Sequence, residues 1–225
     1  MSVSGYHVVF TTYGFWLPND PRGSGSVFVG SEELREFGPA TKVKTRQSVA
    51  TVPHDRSLRL EAKKALKYPE VRLSGHQALS VAKGFRTVIQ RANCEIYACA
   101  ILPGHVHLVI RKLRYPVERF VNLFKGGATR QLISDGLHPF MDREGSEVPT
   151  IWGRGLRKVF LNSEQEVQQR IRYVENNPLK EGKPRQRWSF VVPFQLSTSA
   201  VSPQARRAAP SFVEKARTCG PAAKR

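Results

Sequence analysis

Acidic side chains and cysteine are what this sequence has least of. Across 225 residues there are 18 Asp and Glu against 36 Lys and Arg, a net charge of +18. An excess of that size repels cationic partners and concentrates polyanions, so nucleic acid is the first partner to consider. Three cysteines, Cys94, Cys99 and Cys219, make neither a disulfide framework nor a paired CxxC zinc pattern, and a reduced cytoplasmic setting fits them best. Long apolar runs are missing as well: every run falls well short of the roughly 20 residues that span a bilayer. Residues 1–5 lack the basic stretch and apolar core of a signal peptide, so no membrane partner is expected.

The apolar fraction of 40% is that of a folded chain. Its periodicity gives the elements. Residues 6–12 (YHVVFTT) form a β-branched, aromatic strand that ends in a run of turn formers after Pro18. Residues 18–74 look like a basic insertion holding one helix, with Asp55 as its cap, Leu58, Ala62 and Ala65 at helical spacing, and Pro69 behind it. Over 75–93, Ala78, Val81, Ala82, Phe85, Val88, Ile89 and Ala92 follow the spacing of a helix with one apolar face. Residues 94–102 and 105–112 read as a hairpin about Pro103-Gly104.

A second amphipathic helix runs over 116–135, with Val117, Phe120, Val121, Phe124, Ala128 and Leu132 inward. Its Gly126-Gly127 pair costs on the order of 1 kcal/mol per glycine and suggests close backbone approach or a bend. Residues 156–161 are a further strand. Ser163 with Glu166 is a capping box that opens a last helix, which Pro178 is expected to stop. This order predicts an α+β sandwich, a small antiparallel sheet with helices packed on one face. Residues 1–196 form the expected domain, and 197–225, rich in Ala, Pro, Ser and Arg, a basic disordered tail.

Two constellations carry chemistry. His105 and His107 are two apart on a strand, so they share one face, about 7 Å apart, while Val106, Leu108 and Ile110 take the other. Two imidazoles so placed can share a divalent cation, although a chance pair on a strand face would read the same. Tyr173 and Asn177 are four apart near the end of the last helix and share one face. A tyrosine at the edge of an apolar stripe is ordinarily a half-buried packing residue, and Asn177-Pro178 an ordinary helix-terminating turn. Together, the two pairs supply what phosphoryl transfer needs, a nucleophile and a cation that neutralises developing charge. Tyrosinate is both nucleophile and leaving group, which makes the step reversible. Two imidazoles and an amide oxygen suit Mg²⁺ or Mn²⁺.

The stretch Leu102-Pro103-Gly104-His105-Val106-His107-Leu108-Val109-Ile110 resembles the HUH motif of single-tyrosine transposases. Arg172-Tyr173-Val174-Glu175-Asn176-Asn177-Pro178-Leu179-Lys180 is similar to that family's catalytic-tyrosine helix. Asn-Pro four and five residues after the tyrosine, with Trp152-Gly153-Arg154-Gly155 upstream, resembles the REP-associated branch. The opening residues 6–10 and the basic Phe124-Lys125 also fit, so the resemblance covers about residues 5–190. It implies a ferredoxin-like fold, Tyr173 as nucleophile, and His105, His107 and Asn177 as ligands of Mg²⁺ or Mn²⁺. The activity it implies is cleavage and rejoining of single-stranded or hairpin DNA through a 5′-phosphotyrosine, by a monomer rather than a dimer.

This chain departs from the family pattern at Asn177, where other branches place glutamine, and at Gly104, where relatives often carry Asn or Asp. Lys83, Arg86, Lys125, Arg130 and Arg154 are the basic residues expected to meet DNA. A domesticated, non-catalytic DNA-binding protein of the same fold is the alternative. A rolling-circle initiator usually places a lysine three or four residues after its tyrosine, where this chain has Asn176 and Asn177; Lys180 lies further on, beyond the proline. A zinc hydrolase would need a third ligand at zinc-like spacing, for which only the strand-borne His7 offers itself.

Overall fold

The computed structural model describes residues 4–20, 29–40, 55–141 and 148–196. Its elements run β1 (Gly5–Thr11), a 3₁₀ turn (Arg35–Phe37), α1 (Arg56–Lys64), α2 (Gly75–Ala92), β2 (Ile96–Ile101), β3 (His105–Arg111), α3 (Val117–Ser134), β4 (Arg157–Leu161) and α4 (Glu164–Lys180). The four strands form one antiparallel sheet in the order β2-β3-β1-β4. With α2 and α3 as the crossovers, this is the ferredoxin-like arrangement. Met1–Phe194 forms one unit and Gln195–Arg225 a second; the tail expected over 197–225 lies outside the described residues. No described helix is long and apolar enough to cross a membrane.

Side-chain alternation sorts the strands into two faces. Val8 and Phe10 of β1 and Val106, Leu108 and Ile110 of β3 join Val81, Phe85, Val88, Val121, Phe124 and Leu132 in the main core, beneath α2 and α3. The opposite residues, Ala98, Ala100, Val109 and Leu161, meet Val167 and Val174 of α4 in a smaller cluster. Helices therefore cover both faces rather than one: α2 and α3 pack where the sequence pattern puts them, and α4 returns across the other side.

Local chemistry explains the helix ends. Ser74 and Gln77 form a reciprocal capping box at α2, and Asn93, at φ 46°, ends it in the left-handed region. Asp55 caps α1 by accepting from the Leu58 N–H. At α4, Ser163 accepts from the Glu166 N–H, while the Glu166 carboxylate reaches back to the N–H of Asn162. Contrary to the expected stop at Pro178, α4 continues to Lys180. The proline forfeits one N–H close to the helix end and is itself buried. Closure falls instead at Gly182, at φ +67°, with the Lys183 N–H bonded back to the Pro178 carbonyl at 2.9 Å.

Close backbone approach accounts for Gly127. A Cβ there would lie 2.5 Å from Val88 Cγ2, and one on the facing Gly84 would lie 2.7 Å from both Ala128 Cα and the Gly127 carbonyl oxygen. This is where α2 and α3 cross. Beyond α4, the Gln186 side chain donates to and accepts from the backbone of Ile101 at 2.7 Å each. Val192 donates to the Ile96 carbonyl, so this segment covers the outer edge of β2.

Candidate active site

β3 places His105 and His107 on the α4 side of the sheet, as their spacing requires. In the register, Val9 lies opposite His107 and His7 opposite Val109, which puts His7 diagonally beside His107 on that same face. The His7 and His107 rings are stacked, 5.3 Å apart and 8° from parallel, and His7 Nε2 lies 3.1 Å from His107 Nδ1. Both are almost wholly buried. Tyr173 of α4 stands edge-on to the pair, its ring 5.8 Å from His7 and 5.9 Å from His107. Its exposure is 37%, so the nucleophile candidate is open to solvent while the imidazoles beneath it are not.

His105 completes the row, with its ring 4.9 Å from that of His107. Phe15 lies against its other side, at 5.0 Å. The same phenyl ring explains Gly104, since a Cβ at that position would fall 2.1 Å from Phe15 Cδ2. The Glu181 carboxylate approaches His105 Nε2 to 3.8 Å. Asn177 is buried on α4, one turn after Tyr173 and one turn before Glu181, both of which meet the histidines. Its Nδ2 has no hydrogen-bond partner among the described residues.

Burial sets the electrostatics. Desolvation, then the Arg170 and Arg157 guanidinium groups, push the His7 pKa down to about 3. His107 is held well below the ordinary histidine value by desolvation first, then by His105, His7, Lys180 and Arg157. These two imidazoles are therefore neutral at pH 7, the form that donates a lone pair to a cation. The Lys180 ammonium lies 4.7 Å from the centre of the Tyr173 ring and the Arg170 guanidinium 5.6 Å from it.

Strand parity and helix spacing indicate His105, His107, Tyr173 and Asn177, but not His7, Glu181, Arg170 or Lys180. Finding His7 requires the β1–β3 register, and finding Lys180 requires α4 to run through Pro178. Among the described residues no group of three or more His, Cys, Asp or Glu is arranged to hold a metal ion.

The expected DNA-contacting residues are scattered. Lys83 and Arg86 of α2 and Arg130 of α3 are exposed beyond the helices on the other side of the sheet, and Lys83 pairs with Asp135 at 3.1 Å. The Lys125 ammonium instead donates to the Gly153 and Gly155 carbonyls at 2.8 Å each, and desolvation lowers its pKa to about 8. It clips the Trp152-Gly153-Arg154-Gly155 segment to α3, together with the Trp152 indole N–H, which donates to the Lys125 carbonyl and to Thr129. Arg154 is exposed at the tip of that segment.

Comparison with known proteins bears on this geometry. The family model described as "Transposase IS200 like" matches residues 64–177, just over half of the chain. That span holds His105, His107, Tyr173 and Asn177 and leaves out His7 and Lys180. Solved structures similar to this chain include the following two. A candidate transposase from Deinococcus radiodurans R1 is 15% identical over 78% of this chain and 92% of its own, with a TM-score of 0.40. A REP-associated tyrosine transposase bound to a REP hairpin is 11% identical over 81% of this chain and 70% of its own, with a TM-score of 0.43. Among curated proteins none matches the chain.

Proposed function

The chain belongs to the IS200-like transposase family, and on that premise we propose that it cleaves and rejoins single-stranded, hairpin-bearing DNA through a covalent bond to Tyr173. The observation that carries this reading is the placement of the solvent-open Tyr173 ring edge-on to two buried histidines, at 5.8 and 5.9 Å. In the proposed step the Tyr173 oxygen forms a bond to phosphorus as the P–O3′ bond breaks. The phenolic proton is lost and the departing 3′ oxygen gains one. Attack by a 3′-hydroxyl on the phosphotyrosine runs the step backwards and joins strands. The acting unit proposed is a single chain, because Tyr173 already meets the histidines of its own sheet.

His105, His107 and Asn177 are the proposed holders of Mg²⁺ or Mn²⁺, and the side chains present fit such an ion. His107 is neutral, its Nδ1 is engaged by His7, and its Nε2 is the nitrogen left for a ligand bond. Asn177 is buried one turn after Tyr173, and its amide Oδ1 is the neutral oxygen it would offer the ion. A cation bound there would polarise the phosphate and neutralise charge developing on it. His7 positions His107 through their hydrogen bond, as outer partners of metal ligands do.

The test incubates protein and Mg²⁺ with a hairpin-bearing oligonucleotide taken from beside the gene, and looks for an SDS-stable protein–DNA adduct. Tyr173→Phe should retain its melting temperature, hairpin affinity and Mn²⁺ affinity while losing cleavage and adduct together. His107→Ala should lose cleavage along with Mn²⁺ affinity measured by calorimetry. An adduct persisting in Tyr173→Phe would overturn the mechanism, and full Mn²⁺ binding in both His105→Ala and His107→Ala would overturn the metal site. Binding should also be salt-dependent: about five phosphate contacts would weaken it roughly 100-fold between 50 and 200 mM salt.

A further inference from the structure

Two cations flank Tyr173 and a third shares the strand row of His107, and neither the Tyr173 chemistry nor the metal site uses them. On α4, Arg170, Tyr173, Asn177 and Lys180 are spaced three, four and three residues apart, which keeps them on one helical face. The Arg170 and Lys180 side chains both reach the Tyr173 ring, at 5.6 and 4.7 Å. Lys180 is there only because α4 passes through Pro178. The third cation comes from the sheet. Arg157 of β4 lies opposite Val9 of β1, and Val9 lies opposite His107 of β3. A single row across the three strands thus carries Arg157 and His107, and the parity Arg157, Val159, Leu161 puts Arg157 on the face of the α4-side cluster that holds Leu161.

Arg170 and Lys180 thus flank Tyr173, and Arg157 shares the strand row and the face of His107. None of the three makes an ion pair among the described residues, whereas Arg111, Lys63, Lys83 and Lys158 each hold a carboxylate. Positive charge gathered on one face costs self-repulsion, which the contacts of Arg170 and Lys180 with the Tyr173 ring offset only in part. An anion seated among the three would remove that cost.

We propose that Arg157, Arg170 and Lys180 form a phosphate seat beside Tyr173, which holds the scissile phosphodiester of a single strand against the nucleophile. This rests on the Tyr173 reading and adds to it the groups that orient the phosphorus and take up charge on its non-bridging oxygens. The seat is built from side chains alone and is separate from the His105–His107–Asn177 site. It also gives the long helix end a purpose. The two helical residues beyond Asn177-Pro178 would be dispensable if α4 had only to deliver Tyr173, but they are what brings Lys180 to its ring.

The experiment uses the full chain and two readouts. In the first, Arg170→Gln, Lys180→Gln and the double variant are compared with wild type for hairpin affinity and for the single-turnover rate of adduct formation at saturating DNA and Mg²⁺. Each single change should lower the rate on the order of 100-fold, with hairpin affinity within a few-fold and Mn²⁺ affinity and melting temperature unchanged. Lys180→Arg should restore most of the rate, which a purely structural role for the lysine would not predict. In the second, inorganic phosphate is titrated into metal-free protein and followed by the NMR signals of the Tyr173 ring. Those signals should shift in wild type and in Tyr173-competent controls such as Lys63→Gln, and stay still in the double variant. A double variant that forms adduct within twofold of wild type, or that keeps the phosphate-induced shift, overturns the seat. If wild type itself forms no adduct, the Tyr173 mechanism fails and the phosphate titration alone decides whether the seat exists.

Discussion

The two faces of the sheet are made from the same strands, yet they are put to opposite uses. Under α2 and α3, Val8, Phe10, Val106, Leu108 and Ile110 interlock with Phe85, Val88, Val121, Phe124 and Leu132 in a large apolar layer. Under α4 the apolar contact shrinks to Ala98, Ala100, Val109, Leu161, Val167 and Val174, and the adjoining space goes to His7, His107 and Asn177, all buried. Burying polar groups costs free energy unless each finds a partner, and here two of their atoms, His7 Nδ1 and Asn177 Nδ2, find none among the described residues. The first face holds the fold together. The second stores unsatisfied, neutral donor and acceptor groups at the foot of an exposed tyrosine, and depends on the first to keep them in register.

That division predicts where damage to stability is greatest. Phe124 is fully buried between the sheet and α2, with its ring 5.3 Å from that of Phe85. Phe124→Ala should cost about 3–5 kcal/mol in urea unfolding through lost transfer energy and the cavity left behind. A loss below about 1 kcal/mol would mean that α2 and α3 are not the stabilising layer. Gly84→Ala should come next, at about 1–3 kcal/mol. Its Cβ would meet the α3 backbone at 2.7 Å, and backbone, unlike the tip of a side chain, cannot swing aside. If the variant were as stable as wild type, the two helices would have to slide freely over one another.

Much of this was legible from pattern alone. Period-two alternation in His105-Val106-His107-Leu108 fixes both the core face and the histidine face before any fold is known, and Ser163 with Glu166 marks the start of α4 to the residue. Legibility ended where a fact depends on two distant segments. His7 sits on an ordinary-looking strand, and its contact with His107 exists only in the β1–β3 register. Gly104 reads as a departure from the family until Phe15, 89 positions earlier in the chain, is found lying on it. Pro178 misled for a different reason. Proline propensity is a local preference, and here burial of Asn177 and Pro178 and the left-handed closure at Gly182 outweigh it. The same override hid Lys180. Helices on one face was likewise a reading of the two crossovers, which says nothing of where a trailing helix will lie.

Acid should act mainly through the α4 side, because His7 and His107, the histidines held furthest below their ordinary value, lie there. His7 has a folded-state pKa of about 3 against an ordinary 6.5. Below pH 6.5 the unfolded chain takes up a proton there that the folded chain refuses, so stability falls as pH drops from 6.5 towards 3. At pH 5 this one group should already have cost the metal-free protein about 2 kcal/mol relative to pH 7, and His107, shifted the same way, adds to the loss. Urea titrations at the two pH values, with chelator present, measure it. His7→Gln should flatten the dependence, and stability that holds or rises on acidification would show that these imidazoles are not buried neutral.

The smallest effect expected is also the one that asks whether the α2–α3 side has any part in function. Arg86 and Arg130 are exposed there and make no ion pair among the described residues; they lie on helices that cover the face opposite Tyr173. Surface arginines without partners contribute little to folding, so the double variant Arg86→Gln/Arg130→Gln should shift stability by less than about 0.5 kcal/mol. If both touch the phosphates of a hairpin stem that continues past the site, the slope of log affinity against log salt should lessen by roughly 1–2, with the single-turnover rate at saturating DNA unchanged. That split between affinity and rate is expected, since charges this far from Tyr173 can gather DNA but cannot orient the scissile phosphate. A rate that fell with the affinity would tie α2 and α3 to the chemistry and dissolve the contrast between the faces. An unchanged slope would confine DNA contact to the α4 side, and leave the outer surface of α2 and α3 with stability alone to account for.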